Sequence, residues 1–213
     1  MEEIVQGLHG AGYVHVPGPM TLNEFNDLSQ RLGYVVARER IALRERAHAY
    51  VAKPGVVPLH TDQPQVEVIG WWCLRQDAND GASHLLDGID VVKRLEDSTV
   101  ASLRRTRLAC PAVAGGPPRT AVSVLRHEDG RDKLFCSPWL EPVGGDEASH
   151  MALRQLWHAV GLAAAERLVQ IRLAPGDALF IDNQRMLHGR DAIASDSRRA
   201  LHRVWIIDPA RED

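Results

Sequence analysis

The stretch LVQIRLAPGDALFID, residues 168–182, decides the architecture. Residues 168–173 alternate apolar and polar as a half-buried strand does. Pro175-Gly176-Asp177 is a turn, because proline presets one backbone angle and glycine tolerates the left-handed region. Residues 178–182 are an apolar run short enough for a buried strand, and residues 199–207 alternate again as a last strand. Upstream, Thr21-Leu22-Asn23-Glu24 has the form of a capping box, predicting a helix over 22–32 that Gly33 ends. Residues 59–74 are strand-like, and Asp87 can cap a helix carrying Ile89, Val92 and Leu95. A short helix is expected around 100–105, short strands within 108–140, and a longer helix over 146–162. Residues 38–58, charged and closed by Lys53-Pro54-Gly55, read as a connection or lid. Closely spaced strands with a few helices outside predict a mainly β fold. It is a jelly roll of two packed sheets (a double-stranded β-helix, cupin-like), with residues 1–213 as a single domain.

Composition narrows the partners. At 213 residues the chain is long enough for one well-buried core and short for two. The net charge of -3 gives no broad basic surface for nucleic acid or an anionic membrane. No apolar run approaches the roughly 18 residues a membrane span needs, and no secretory leader pattern stands at Met1-Glu2-Glu3. Cys73, Cys110 and Cys136 are odd in number and lack CxxC spacing, which argues against a disulfide framework and for a reducing cytoplasm.

Three segments carry chemistry. His60-Thr61-Asp62 places two metal-binding side chains at i and i+2, on one face if the segment is a strand. Directly after the buried strand comes DNQRMLHGR, residues 182–190, where His188 could complete a 2-His-1-carboxylate facial triad. Arg199 and Arg203 then follow His188 by 11 and 15 residues. Alternation puts both arginines on the face of Leu201 and Trp205, so each needs an anion if buried. They lie about 13 Å apart along the strand, at roughly 3.3 Å per residue, and so serve different groups.

In this order the motifs resemble the taurine dioxygenase / clavaminate synthase-like superfamily of iron(II)/2-oxoglutarate oxygenases. The likeness spans roughly residues 60–207. It rests on HxD at His60 and Asp62, the DN-x-R-x-LHGR pattern at 182–190 and R-x-L-x-R at 199–203. A fourth segment, GASHLLDG at residues 81–88, is similar to the family's glycine- and hydroxyl-bearing stretch. The resemblance implies Fe(II) on His60, Asp62 and His188, with O2 and 2-oxoglutarate as co-substrates. It also implies that Arg199 and Ser83 grip the distal carboxylate of 2-oxoglutarate, and that Arg203 binds an acidic group of the substrate. Because Asp62 is present where related halogenases have a small residue, hydroxylation, desaturation or cyclisation is expected rather than halogenation. Only about 126 residues separate Asp62 from His188, toward the short end for the family, so trimmed coverings and an open mouth are expected.

The substrate expected is a small molecule, an amino acid or secondary metabolite, free or tethered to a carrier protein. Trp71, Trp72, Trp139 and His48 are further candidates for the pocket, whereas His84 and His202 are not expected to be ligands. The competing reading is a jelly-roll protein that binds zinc or nickel without oxidation, since divalent affinity alone does not select iron. A zinc hydrolase is the third, and it lacks an evident general base beside the triad. Neither accounts for Ser83 and Arg199.

Overall fold

A computed structural model describes residues 1–44, 50–77, 79–110 and 120–207. The chain order is α1 (Glu2–Gly10), β1 (Tyr13–Val16), α2 (Leu22–Leu32), β2 (Tyr34–Ala42), a 3-10 turn (Tyr50–Ala52), β3 (Val57–His60), β4 (Val68–Arg75) and β5 (Ser83–Asp87). It continues with α3 (Gly88–Val92), α4 (Asp97–Arg105), β6 (Arg107–Ala109), β7 (Ala121–Ser123), β8 (Leu125–Glu128), β9 (Arg131–Leu134) and α5 (Glu147–Arg167). The last strands are β10 (Val169–Ile171), β11 (Ala178–Asp182), β12 (Met186–Arg190) and β13 (Ala200–Ile207).

Two antiparallel sheets face one another, ordered β1-β11-β4-β13-β2 and β10-β5-β12-β3. Strand alternation sorts their side chains into layers. Ile69, Cys73, Leu179, Ile181 and Leu201 of the first sheet meet Leu85 and Met186 of the second in one cluster. The opposite face of the first sheet, with Trp72, Phe180, Val204 and Ile206, packs on Ile4 and Leu8 of α1 and Phe25 of α2. There the Phe25 and Phe180 rings stack at 5.5 Å, worth about 1 kcal/mol beyond the area they bury. The outer face of the second sheet, through Leu86 and Leu187, is covered by Leu153, Leu156 and Val160 of α5. The result is the jelly roll the sequence implies, with helices outside both sheets.

The local signals at the caps are realised. Thr21 and Glu24 form the reciprocal capping box of α2, Asp87 caps α3, and Asp146 caps α5. Each supplies an acceptor to an otherwise orphaned backbone N–H, typically worth about 1 kcal/mol. Two expectations need correction. The opening of the 38–58 connection, residues 38–42, is not a connection, since it belongs to Tyr34–Ala42, a strand paired along its length with β13. Residues 59–74 are not one strand either: β3 stops at His60, and an irregular loop leads to β4 at Val68. The three cysteines are buried and unpaired. Among the described residues no helix is long and apolar enough to cross a membrane.

Candidate metal and co-substrate site

His60 and His188 come together because β3 and β12 are neighbours, with the two residues directly opposite in register. Their rings lie 4.3 Å apart. Asp62 is not on the strand with His60, as i, i+2 spacing suggested; it sits past the strand end on a loop that is held shape by side chains. Its N–H donates to Asn183 Oδ1 at 2.8 Å. The same Asn183 amide donates to the carbonyls of Gln63 and Val66. Thr61 exchanges backbone and hydroxyl hydrogen bonds with Cys136. The DN element of the motif is thus a clamp on the loop that delivers the carboxylate.

The two oxygens of Asp62 are divided between tasks. Oδ2 accepts from Arg203 Nη1 at 3.0 Å and from Trp205 Nε1 at 2.8 Å. Oδ1 faces His60 Nε2 at 3.5 Å and His188 Nε2 at 3.9 Å. All three candidate ligand atoms lie within 4.8 Å of one another. His60 Nδ1 lies 2.8 Å from the Pro58 carbonyl, which fixes the proton there and leaves the Nε2 lone pair facing Asp62. Burial, reinforced by the neighbouring His60 and Arg203, pushes His188 down to about 3, so its imidazole is neutral. Burial pushes the Asp62 carboxyl upward, but Arg203 and the two histidines outweigh it and hold the group well below the usual carboxylate range. Lone pairs and a negative charge converging in a buried spot suit a divalent cation. Trp139 packs on the His60 ring and Trp71 on the His188 ring, limiting how either can rotate. Trp72 and His202 make a tilted ring contact with each other, and His84 pairs with Asp191. His48 lies outside the described residues.

A cavity of about 520 Å³ including its mouth opens beside the triad, with His60, His188 and Trp71 in its lining and Ser83, Arg190 and Arg199 also along its walls. Ile41, Leu85, Leu179 and Leu201 make the wall between apolar. Arg199 precedes β13 and is 5% exposed. Its Nε donates to Gln76 Oε1 at 3.0 Å, and it forms no ion pair among the described residues. Burial, reinforced by the charge of Arg190, lowers it to about 10, so it remains a cation. Gly81 makes room for it: at φ +77° a Cβ there would stand 2.8 Å from Arg199 Cδ. Arg203 is committed differently, bridging Asp62 to Glu39 Oε2 at 2.8 Å with its guanidinium 4.7 Å over the Trp205 ring. Glu39 reaches it because β2 pairs in register with β13.

Trp205, Asn183 and Glu39 received no individual role from the sequence. Alternation had put Trp205 on the face of the arginines, which was the signal for its contact with Asp62. Replacing Trp205 with phenylalanine keeps the packing and removes one hydrogen bond from the carboxylate. A loss of roughly tenfold in Fe(II) affinity is expected, measured by anaerobic Fe(II) titration. Unchanged affinity would reduce Trp205 to a packing residue.

A jelly roll that gathers two histidines and an aspartate beside a cavity with a buried cation defines the non-haem iron oxygenase class. The chain belongs to the taurine catabolism dioxygenase TauD, TfdA family, whose model matches residues 1–205. As a member it is a 2-oxoglutarate-dependent non-haem iron dioxygenase using Fe(II), 2-oxoglutarate and O2. Solved structures share the fold at low identity. An asparagine oxygenase in complex with Fe(II), (2S,3S)-3-hydroxyasparagine and succinate is 18% identical with a TM-score of 0.77, over 97% of this chain and 78% of that one. A putative α-ketoglutarate-dependent taurine dioxygenase from Burkholderia xenovorans is 18% identical with a TM-score of 0.76, over 97% and 82%. The non-haem iron oxygenase OrfP, in complex with Fe, succinate and (3S)-hydroxy-L-Arg, is 17% identical with a TM-score of 0.71, over 96% and 78%. No curated protein sequence matches the chain.

Proposed function

We propose that the protein hydroxylates an unactivated C–H bond of a small molecule, an amino acid or secondary metabolite, free or carrier-bound. The observation that carries this reading is one cavity lined both by His60 and His188, the two histidines of the triad, and by Ser83 with a buried Arg199 that forms no ion pair among the described residues. A dicarboxylate that chelates metal at its head needs both. In this assignment His60, Asp62 and His188 hold Fe(II), while Arg199 takes the distal carboxylate bidentately and Ser83 adds a hydrogen bond. Bound iron supplies the activation of O2 that converts 2-oxoglutarate, O2 and substrate into succinate, CO2 and hydroxylated product.

The rest is done by the chain. Apolar walls exclude water and hold the co-substrate's methylene groups, and Trp205 and Arg203 fix which oxygen Asp62 turns to the metal. Arg203 takes an acidic group of the substrate. Glu39, its more exposed partner, gives way to that group, and the Asp62 contact is kept. Support for an amino acid comes from the hydroxylated asparagine and arginine bound by two structural neighbours. Three buried, unpaired cysteines suit a reducing cytoplasm.

Anaerobic absorption spectroscopy tests the assignment. Adding Fe(II) and then 2-oxoglutarate to metal-free protein is expected to raise a weak visible charge-transfer band only when both are present. No band, with tight zinc or nickel binding instead, would favour a non-oxidative metal protein.

A further inference from the structure

A second buried cation, Arg190, lines the cavity beside the triad. Arg190 lies two residues beyond His188 on β12, so its side chain points to the same face. It is directly opposite Ser83 in the β12–β5 register and lines the same cavity as Ser83 and Arg199. It is 4% exposed, yet it forms no ion pair among the described residues. Its two terminal nitrogens are taken by neutral acceptors, the Asp191 carbonyl at 2.7 Å and the Lys53 carbonyl at 3.0 Å. Its Nε is buried with no hydrogen-bond partner among the described residues.

Asp191 and Asp77 offset part of the charge of Arg190 from beyond ion-pair distance, but a buried guanidinium hydrogen-bonded only to carbonyls, beside a second that lacks an ion pair, still gains from an arriving anion. The two guanidinium groups repel one another, and an arriving negative charge relieves both. We infer that Arg190 is a positioning residue for the co-substrate: a second cation that, with Arg199, sets the charge of the distal carboxylate pocket. Through its bond to the Lys53 carbonyl it also ties that pocket to the segment carrying Val51 and Val57, which line the same cavity. The inference rests on the co-substrate assignment above, and deepens it by separating charge from contact. Arg199 grips the carboxylate, whereas Arg190 acts mainly through its field.

The test uses two probes of the whole chain. 2-Oxoglutarate is titrated anaerobically by calorimetry into Mn(II)-loaded protein, and succinate, which has the distal carboxylate but no chelating keto acid, into metal-free protein. Arg190→Gln is expected to weaken both ligands about tenfold or more with Mn(II) affinity unchanged. Arg190→Lys keeps the charge, loses the paired carbonyl contacts, and is expected to recover most of the binding. If Arg190→Gln binds both ligands like wild type, or Arg190→Lys is as weak as Arg190→Gln, Arg190 is a backbone latch and the inference is overturned. If wild-type protein itself binds neither ligand, the co-substrate assignment fails, and the inference with it. Melting curves of both variants guard against misfolding, with Arg190→Lys as the informative variant if Arg190→Gln does not fold.

Discussion

His188→Ala abolishes Fe(II)-dependent turnover while the metal-free protein keeps its fold. The imidazole sits on the inner strand β12, in register with His60 and 3.9 Å from the carboxylate. Removing it takes one of three converging donors, and the two that remain cannot define one face of an octahedral ion. The structural cost is small by comparison. Among the described residues the ring makes no hydrogen bond through Nδ1, and it borders a cavity rather than filling the core, so about 1–2 kcal/mol of stability is at stake. Fe(II) titration together with a thermal melt of the metal-free variant checks both halves. Retained tight iron binding and turnover would remove His188 from the ligand set. A collapse of the melt without metal would make it a structural residue.

Arg199→Ala raises the 2-oxoglutarate requirement by on the order of 100-fold, and leaves iron binding nearly unaffected. Truncating one partner of a buried charge-assisted contact typically costs about 2–5 kcal/mol, and 1.4 kcal/mol is a factor of ten. Stability should respond in an unusual way. Arg199 has no ion-pair partner among the described residues, so deleting a buried, weakly compensated cation offsets the packing lost with its stem. The variant free of ligand is therefore expected to melt within a few degrees of wild type. Steady-state kinetics varying 2-oxoglutarate, beside Fe(II) titration, give the answer. If Arg203→Ala raises the co-substrate KM and Arg199→Ala does not, the two arginines have been assigned in reverse.

The ordered motifs were legible because they are local. Alternation marked β10 and β13, an apolar run marked β11, caps marked α2 and α3, helical periodicity marked α5, and the spacing of the histidines and arginines marked the site. What stayed hidden depends on partners far along the chain. The Asn183 clamp on Asp62 spans 121 residues, and the Trp205 contact spans 143. Arg203 is the instructive case. Its face demanded an anion, and the sequence could not choose between a bound ligand and an internal carboxylate. Glu39 becomes a neighbour only through the pairing of β2 with β13, and that segment had been read partly as a connection. β12 was missed as a strand for a related reason. At five residues carrying histidine, glycine and arginine, MLHGR has no alternation strong enough to mark it.

Glu39 belongs to β2, the outermost strand of its sheet, hydrogen-bonded to one neighbour and bounded on its far side by no strand among the described residues. His188, by contrast, is on a strand enclosed between two others. Exchange of side chains at the rim therefore disturbs a single seam of the sheet, whereas exchange at the histidine disturbs two. Such a division lets descendants of one iron centre acquire new substrates by rewriting a border strand while the chemistry is inherited intact.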